Sequence, residues 1–213
     1  ESLIENIQSI KDKYEINSLR KAAEITDYVF EKIIKEIKVG LTEKYIAARI
    51  AFLFKTNGAE GESYDSIVAS GPNAALPHAR PSDRKFTKGD FIVMDFGALF
   101  EGYHADMTRT VMIGNPTQKH QEIYDIVLES QMSGISQCKS GVKCSDVDKA
   151  CRDVINQYGY GDFFNHSKVF GADIDKKILF KDRRIKTQYV DQTNNKSILK
   201  LFTSKHLDLQ LEY

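Results

Sequence analysis

The sequence has 213 residues, of which 41% are hydrophobic and 28% are charged, and its 30 basic residues balance its 30 acidic residues. This length suits one domain with an appendage, and the zero net charge disfavours a nucleic-acid partner or an anionic membrane surface. No apolar run approaches the roughly 18 residues of a membrane-spanning helix, and residues 1–15 lack the pattern of a secretory signal. Three cysteines, an odd count, favour reduced structural thiols and a cytoplasmic protein; they are Cys138, Cys144 and Cys151.

The first predicted elements are two amphipathic helices. Apolar residues recur at helical spacing over residues 15–38, and Gly40 ends this helix. Thr42 has the character of an N-cap for a second helix over residues 45–55, which Asn57-Gly58 ends. We expect both helices to cover one face of a sheet.

A short strand over residues 63–70 is followed by a loop that contains His78. Pro77 and Pro81 restrict the backbone on either side of this histidine. A loop histidine is most often simply exposed, but a histidine held in a defined place can also donate or accept a proton near neutral pH. Both interpretations stay open at this point.

Residues 91–113 predict a β-hairpin with Phe100-Glu101-Gly102 as its turn. A tight hairpin centred there sets Asp95 and Asp106 opposite each other on one face, with Cβ atoms about 4.5–5.5 Å apart. Two carboxylates at that distance repel each other unless one takes up a proton or a divalent cation binds. We therefore predict metal ligands; a solvated hairpin with two unrelated aspartates is the alternative. The apolar run 91–94 predicts a strand buried on both faces, which favours the metal.

Two further helices are predicted, over residues 118–139 and from a cap at Ser145 to about Tyr158. The order helix, helix, strands, helix, helix indicates a repeated αα-β unit. From Lys168 onward the composition changes to Lys, Asp, Asn, Ile and Leu, and residues 178–180 and 198–202 fit either a strand or a helical turn. A solvated face or a disordered tail also fits these charge runs.

Residues 13–167 resemble the catalytic domain of the pita-bread metallopeptidases, most closely the Xaa-Pro aminopeptidase and prolidase (Xaa-Pro dipeptidase) branch. The segments that carry the resemblance are LRKAAEITD, IVASGPNAALPHARPSDRKFTKGD, MDFGALFEGYHADMTRTV and YGYGDFFNHS. The resemblance implies an α+β pita-bread (creatinase/aminopeptidase-like) fold, with the first αα-β half and the helices of the second half within residues 1–167. It also implies an exopeptidase that uses two divalent metal ions, Mn²⁺ most often and Co²⁺ or Zn²⁺ in some members. Its substrate is a peptide with proline at the second position.

The resemblance assigns roles to five residues. Asp95 matches an aspartate that binds one metal with both oxygens, and Asp106 matches an aspartate that bridges both metals. His78 matches a catalytic histidine that contacts the substrate and stabilises the transition state. His166 matches the first histidine of a histidine-rich loop in the substrate pocket, and Thr108 supports the metal centre from behind its ligands.

The sequence departs from the family pattern after Ser167. Phe170 stands where the family has a ligand histidine, Lys177 stands near the place of a catalytic histidine, and Glu212 is the one remaining glutamate for two ligand positions. With three of the five usual ligands missing, we predict an inactive or weakly active form with doubtful metal occupancy. We also predict that residues 168–213 are a divergent tail, out of frame or disordered, and that the chain forms a homodimer or self-associates non-specifically.

Two other functions fit the same fold. A non-catalytic pita-bread module that binds peptide or protein explains the missing ligands, although it leaves Asp95 and Asp106 unexplained. Creatine amidinohydrolase shares the fold but does not use the metal pair, so the two aspartates argue against it.

Overall fold

The computed structural model describes residues 11–76, 78–139 and 141–164, together with the backbone of two later strands. The described residues contain four α-helices, α1 (Lys13–Glu36), α2 (Glu43–Thr56), α3 (Gln118–Gln137) and α4 (Cys144–Gln157), and two short 3₁₀ helices, Gly71–Ala75 and Gly161–Phe163. The strands are β1 (Gly61–Glu62), β2 (Ile67–Ser70), β3 (Phe91–Phe96), β4 (Ala98–Phe100), β5 (Tyr103–His104), β6 (Met107–Met112), β7 (Arg183–Val190) and β8 (Leu201–Leu209). None of the described helices is both long enough and apolar enough to cross a membrane.

The chain divides into two units. The first comprises residues 1–115 and 187–204, and the second comprises residues 116–186 and 205–213. In the first unit, α1 and α2 pack on one face of the sheet. Their apolar residues form one core with β2, β3, β4 and β6 around Ile33, Ile50, Phe54, Met94 and Phe96. The amphipathic helices of the sequence prediction therefore cover a sheet face, as expected.

Local chemistry explains where the helices begin. Asp12 and Glu15 form a capping box at the start of α1, with each side chain accepting from the other residue's backbone N–H at 2.7–2.9 Å. Thr42 caps α2 through the backbone N–H of Tyr45 at 3.1 Å, as predicted. The predicted cap at Ser145 is wrong: α4 begins at Cys144, Lys143 occupies the N-cap position, and no side chain caps this helix.

The second unit contains α3 and α4. Ser130 on α3 donates a hydrogen bond to the backbone oxygen of Cys151 on α4 at 2.9 Å, and this serine is 4% exposed. All three cysteines of the chain belong to this unit, and they are free and buried. Their burial agrees with the structural role that the sequence predicts for them.

The hairpin between Phe91 and Met112 has the predicted extent, but it bends between two sheets, which the sequence does not predict. It contains β3 and β6 in one sheet and β4 and β5 in another. Gly97 lies where the chain passes from β3 to β4, and a Cβ atom there would sit 1.7 Å from the backbone oxygen of Ala105. Only glycine allows the two arms to approach this closely.

The turn of this hairpin is Glu101-Gly102, with φ values of +49° and +77°. Phe100 belongs to β4 and pairs with Tyr103, so the turn has two residues and not three. Asp95 consequently lies opposite Thr108, and not opposite Asp106 as predicted. The register of the two arms therefore differs from the prediction by two residues. A shift of two keeps both aspartates on one face, because side chains alternate with period two.

The predicted burial of β3 on both faces is wrong. Ile92, Met94 and Phe96 are buried against the helices, whereas the residues between them, Asp95 included, are half-buried. Asp95 therefore lies on the more open face of the sheet.

Two strands are described in the segment after Ser167. The backbone of β8 pairs antiparallel with β6, with Thr110 opposite Phe202, and β7 follows it in the order β2-β3-β6-β8-β7. For 201–202, where the sequence left strand and helical turn open, the structure has a strand.

Candidate metal centre

Three side chains meet at the end of β3. The hydroxyl oxygen of Tyr64 lies 2.5 Å from Oδ1 of Asp95 and 2.9 Å from Oδ1 of Asp106. Both carboxylates are thus within hydrogen-bonding distance of one phenol oxygen. The prediction that the two aspartates approach each other on one face is confirmed by this geometry, whereas their metal-binding role stays a prediction.

The electrostatics of the pair follow from this arrangement. Burial raises the pKa of Asp95, the negative charge of Asp106 raises it further, and hydrogen bonds from Tyr64 and Thr108 oppose both effects. The pKa of Tyr64 is also raised, first by burial and then by its hydrogen bond to Asp95. The phenol therefore keeps its proton and acts as a donor to the carboxylates.

Thr108 lies opposite Asp95 in the β3–β6 ladder, and its side chain lowers the pKa of the Asp95 carboxyl group. The sequence placed Thr108 behind the metal ligands, and the structure brings it to one of those two aspartates. Its role beside a bound metal stays a prediction.

The two histidines of the sequence prediction have different outcomes. His78 is exposed, and the structure shows no hydrogen bond or ion pair between it and the two aspartates in the part of the chain described. His166 lies outside the described residues, as do Phe170, Lys177 and Glu212.

Tyr64 is the site residue that the sequence prediction missed, because it was interpreted only as an apolar strand residue. It precedes β2, and β2 pairs with β3 so that Ile67 lies opposite Asp95. A tyrosine three residues before a strand that pairs with an aspartate-bearing strand is a weak signal. It becomes informative only once the pairing of these two strands is known.

The donor set fits a divalent cation in part. Two carboxylates that converge on one point are the oxygen donors that hard cations prefer. Among residues 11–76, 78–139 and 141–164, however, no group of three or more His, Cys, Asp or Glu side chains is arranged to hold a metal ion. Asp95 and Asp106 would supply one side of a metal site, and the described residues do not complete it.

Comparison with known proteins adds an independent observation. The sequence pattern of metallopeptidase family M24 matches residues 17–191. The chain is 41% identical over 175 residues to the Xaa-Pro dipeptidase of Pyrococcus horikoshii. This alignment covers 82% of this chain and 50% of that protein. The chain spans about half the length of the curated relatives it matches.

Solved structures give the same result. The prolidase from Pyrococcus furiosus superposes with a TM-score of 0.76 at 41% identity and covers 83% of this chain and 52% of its own. The X-Pro aminopeptidase from Thermotoga maritima superposes with a TM-score of 0.79 at 34% identity, over 92% and 59% of the two chains. These neighbours confirm the predicted α+β pita-bread fold class. The family match also extends past Ser167, where the quoted motifs end.

Proposed function

The chain belongs to metallopeptidase family M24, and from this membership we propose that it is part of a metal-dependent Xaa-Pro peptidase. The reaction is hydrolysis of the peptide bond between an N-terminal residue and a following proline. The observation that carries the proposal is the convergence of Asp95 and Asp106 on the Tyr64 hydroxyl. The relatives named Xaa-Pro dipeptidase support the substrate class, a peptide with proline at the second position.

We assign the metal to the carboxylates of Asp95 and Asp106. Two divalent ions, with Mn²⁺ first and Co²⁺ or Zn²⁺ next, suit a site rich in carboxylate oxygens. When bound, such ions lower the pKa of a water molecule and polarise a carbonyl group. The two carboxylates repel each other without a cation, and this repulsion favours cation binding between them.

The chain's own residues have separate tasks in this proposal. Tyr64 lies within hydrogen-bonding distance of both carboxylates and donates its proton to one of them at a time, and Thr108 supports Asp95 from the opposite position in the neighbouring strand. His78, on an exposed loop, is available to donate a hydrogen bond to the substrate carbonyl as negative charge develops there. We assign His166 to the substrate pocket, because it matches a pocket histidine of the resembling family.

We expect this form to be inactive or weakly active. A phenylalanine at position 170, where the family pattern has a ligand histidine, has no atom that can coordinate a metal. Each lost ligand weakens the site, and the activated water depends on the complete set. The three free cysteines support a reducing, cytoplasmic compartment for the protein.

A non-catalytic module that binds peptide or protein is the second candidate. The presence of only two converging acidic side chains in the described residues favours it. The two functions differ in their dependence on metal, because a binding module needs no cation at Asp95 and Asp106.

Titration with Mn²⁺, followed by calorimetry, tests the proposal. We expect weak binding to the full chain, and Asp106→Asn should reduce the affinity by at least about 100-fold, more than the loss of a supporting residue costs. Asp83→Asn is the matched control, because Asp83 is an exposed aspartate of the same unit that pairs with Lys44. Equal affinities in all three chains contradict the metal site and leave the binding module.

The same samples can be assayed with a Xaa-Pro dipeptide in the presence of Mn²⁺. Hydrolysis that requires both Mn²⁺ and Asp106 supports an active peptidase. Metal binding without hydrolysis supports the inactive form of the same site.

A further inference from the structure

The carboxylate of Glu43 is fully buried and lies outside the candidate metal centre. Glu43 is the first residue of α2 and is 0% exposed. Its Oε1 accepts hydrogen bonds from the backbone N–H and the hydroxyl of Ser70, both at 2.7 Å. Its Oε2 accepts from the backbone N–H of Ser82 at 2.9 Å and from the Ser82 hydroxyl at 2.6 Å. The amide of Asn73 lies 3.2 Å from each oxygen.

These two serines are the ends of the loop that carries His78. Ser70 is the last residue of β2, and Ser82 directly follows Pro81. One carboxylate therefore closes the base of the loop formed by residues 71–81, with one oxygen bound to each end. A surface loop with closely spaced, fixed ends keeps a defined shape.

A second set of contacts fixes the first end of the loop. Arg84 donates to the Ser70 hydroxyl at 2.7 Å and forms an ion pair with Asp90 at 2.6 Å. Gly71 has a φ of +51°, and a Cβ atom on it would lie 2.5 Å from the guanidinium of Arg84. The Ser70 hydroxyl oxygen accepts the hydrogen bond from Arg84, and the proton of the same hydroxyl is donated to Glu43.

The charge on Glu43 is maintained by these donors. Burial alone would raise the pKa of Glu43, but the hydrogen bonds from Ser82 and Ser70 outweigh it and hold the pKa below its ordinary value. A buried, fully hydrogen-bonded charge adds little net stability compared with an apolar side chain of the same size. What such a charge does supply is directional contacts to particular donors, and here those donors are the two ends of one loop.

We propose that Glu43 is a positioning residue that fixes the His78 loop by holding its two ends, Ser70 and Ser82. The catalytic consequence rests on the proposed function, because it assumes that His78 contacts the substrate. The fixing of the loop itself does not depend on metal or peptide. Without the Glu43 carboxylate, one end of the loop is released and His78 samples several positions.

The test compares Glu43→Gln with Glu36→Gln in the full chain. Glutamine keeps the size of the side chain but places an N–H group against the donors of either Ser70 or Ser82, so one end of the loop loses its acceptor. Glu36 is the matched control, because it is a half-buried glutamate that accepts from Nε and Nη2 of Arg49 at 2.8 Å and does not hydrogen-bond the loop. Amide hydrogen exchange over residues 71–80 should accelerate by about tenfold or more in Glu43→Gln, while α1 and β3 stay within about twofold. Glu36→Gln should leave the loop at the wild-type rate.

The imidazole resonance of His78 gives a signature that a purely structural role would not produce. The chain has five histidines, and the His78 signal can be assigned by its loss in His78→Gln. In Glu43→Gln this signal should move toward the position of a histidine in an unstructured peptide, while those of His104 and His120 stay in place. An even change across all histidines, or an unchanged His78 signal together with unchanged loop exchange, overturns the proposal.

A milder variant covers the case in which Glu43→Gln does not fold. Ser82→Ala removes one donor and leaves the backbone N–H, so exchange should rise several-fold over residues 78–82 only. Ser66→Ala is its control, because the buried hydroxyl of Ser66 likewise donates to a glutamate, Glu62, at 2.5 Å. Equal exchange in Ser82→Ala and Ser66→Ala also overturns the proposal. Neither readout involves metal or hydrolysis, so a failure here is distinct from a failure of the Mn²⁺ titration.

Discussion

Among single residues, Tyr64 connects the two aspartates of the site, because its hydroxyl group lies within hydrogen-bonding distance of both. It has one proton and two carboxylate neighbours, so it donates to Asp95 or to Asp106 but not to both at once. The pair of aspartates could be predicted from the sequence, because two acidic residues in facing arms of a hairpin share a face whenever the parity is right. Tyr64 could not be predicted, because its contact depends on the pairing of β2 with β3, which residues 71–90 separate in the sequence.

Tyr64→Phe should destabilise the metal-free chain by about 1.5–3 kcal/mol, the usual value of a hydrogen bond to a charged group. The loss also leaves the repulsion between Asp95 and Asp106 without a nearby donor. Urea unfolding in the presence of a chelator measures the free energy of unfolding of both chains. Tyr45→Phe, at a tyrosine that is 47% exposed, should change stability by less than about 0.5 kcal/mol. Added Mn²⁺ should narrow the difference between Tyr64→Phe and wild type, and equal losses at both tyrosines would contradict this account.

Asp90→Asn should cost about 3 kcal/mol at neutral pH, because it leaves the guanidinium of Arg84 without its partner in a largely buried place. Burial raises the pKa of Asp90, but hydrogen bonds from Arg84 and Thr87 outweigh it, so the pKa in the folded chain is lowered. Since the unfolded chain binds the proton more readily, this stabilisation is present above the ordinary range near pH 4 and is lost as the pH falls through the lowered value.

Chemical unfolding of Asp90→Asn and wild type between pH 2 and neutrality checks the direction. The stability difference between the two chains should shrink as the pH falls. Asp83→Asn is the control, because Asp83 is 83% exposed in its pair with Lys44 and should cost almost nothing at any pH. A difference for Asp90→Asn that is constant with pH would show that the ion pair is not its source.

At the scale of elements, the hairpin shows what local patterns decide and what they leave open. A hairpin centred on residues 100–102 predicts that Asp95 and Asp106 share one face, and this part of the prediction is correct. The register was wrong by two residues, because Glu101 adopts a positive φ that no side-chain pattern announces, and the turn is therefore shorter than expected. The bend at Gly97 was not predicted either, because it follows from the approach of Ala105, a contact between the two arms.

Gly97→Ala should destabilise the chain by about 3 kcal/mol or more, because the added Cβ overlaps the backbone oxygen of Ala105 and the arms must separate. The separation should also displace Asp106 and weaken Mn²⁺ binding. Gly61→Ala is the matched control, because a Cβ atom there meets no atom within 4 Å and its φ is not positive. Thermal unfolding and Mn²⁺ titration of both variants measure the two effects; a Gly97→Ala chain as stable as Gly61→Ala would rule out the overlap.

At the scale of the whole molecule, helix positions were predicted within a few residues, because helical periodicity and capping are local properties. The sequence prediction did not assign β8, because this strand pairs with β6, which lies far away in the sequence. The sequence predicts burial on both faces of β3, because both faces of this strand carry apolar residues. Only one of the two faces is buried in the structure. Local patterns were thus sufficient for the helices, whereas the position of β8 depends on long-range pairing.

Exposed apolar residues on α3 favour self-association of the chain. Ile123 and Val127 lie one turn apart on α3 and are 38% and 53% exposed. Exposed apolar side chains at this spacing form a stripe that a second chain can cover. We expect the mass measured by light scattering to rise with concentration, and Val127→Lys to lower it. Val39→Lys, at a 58% exposed valine outside the helices, should leave the mass unchanged; a monodisperse monomer at all concentrations would contradict the prediction.

The burial of the three cysteines has a practical consequence. All of them belong to the second unit, none is more than 7% exposed, and the first unit has no thiol. A thiol-alkylating reagent can therefore react only when the packing around these cysteines opens, and its rate reports that opening within the second unit. Mass spectrometry of the alkylated chain would thus time the loosening of one unit while the other remains silent, with no engineered probe.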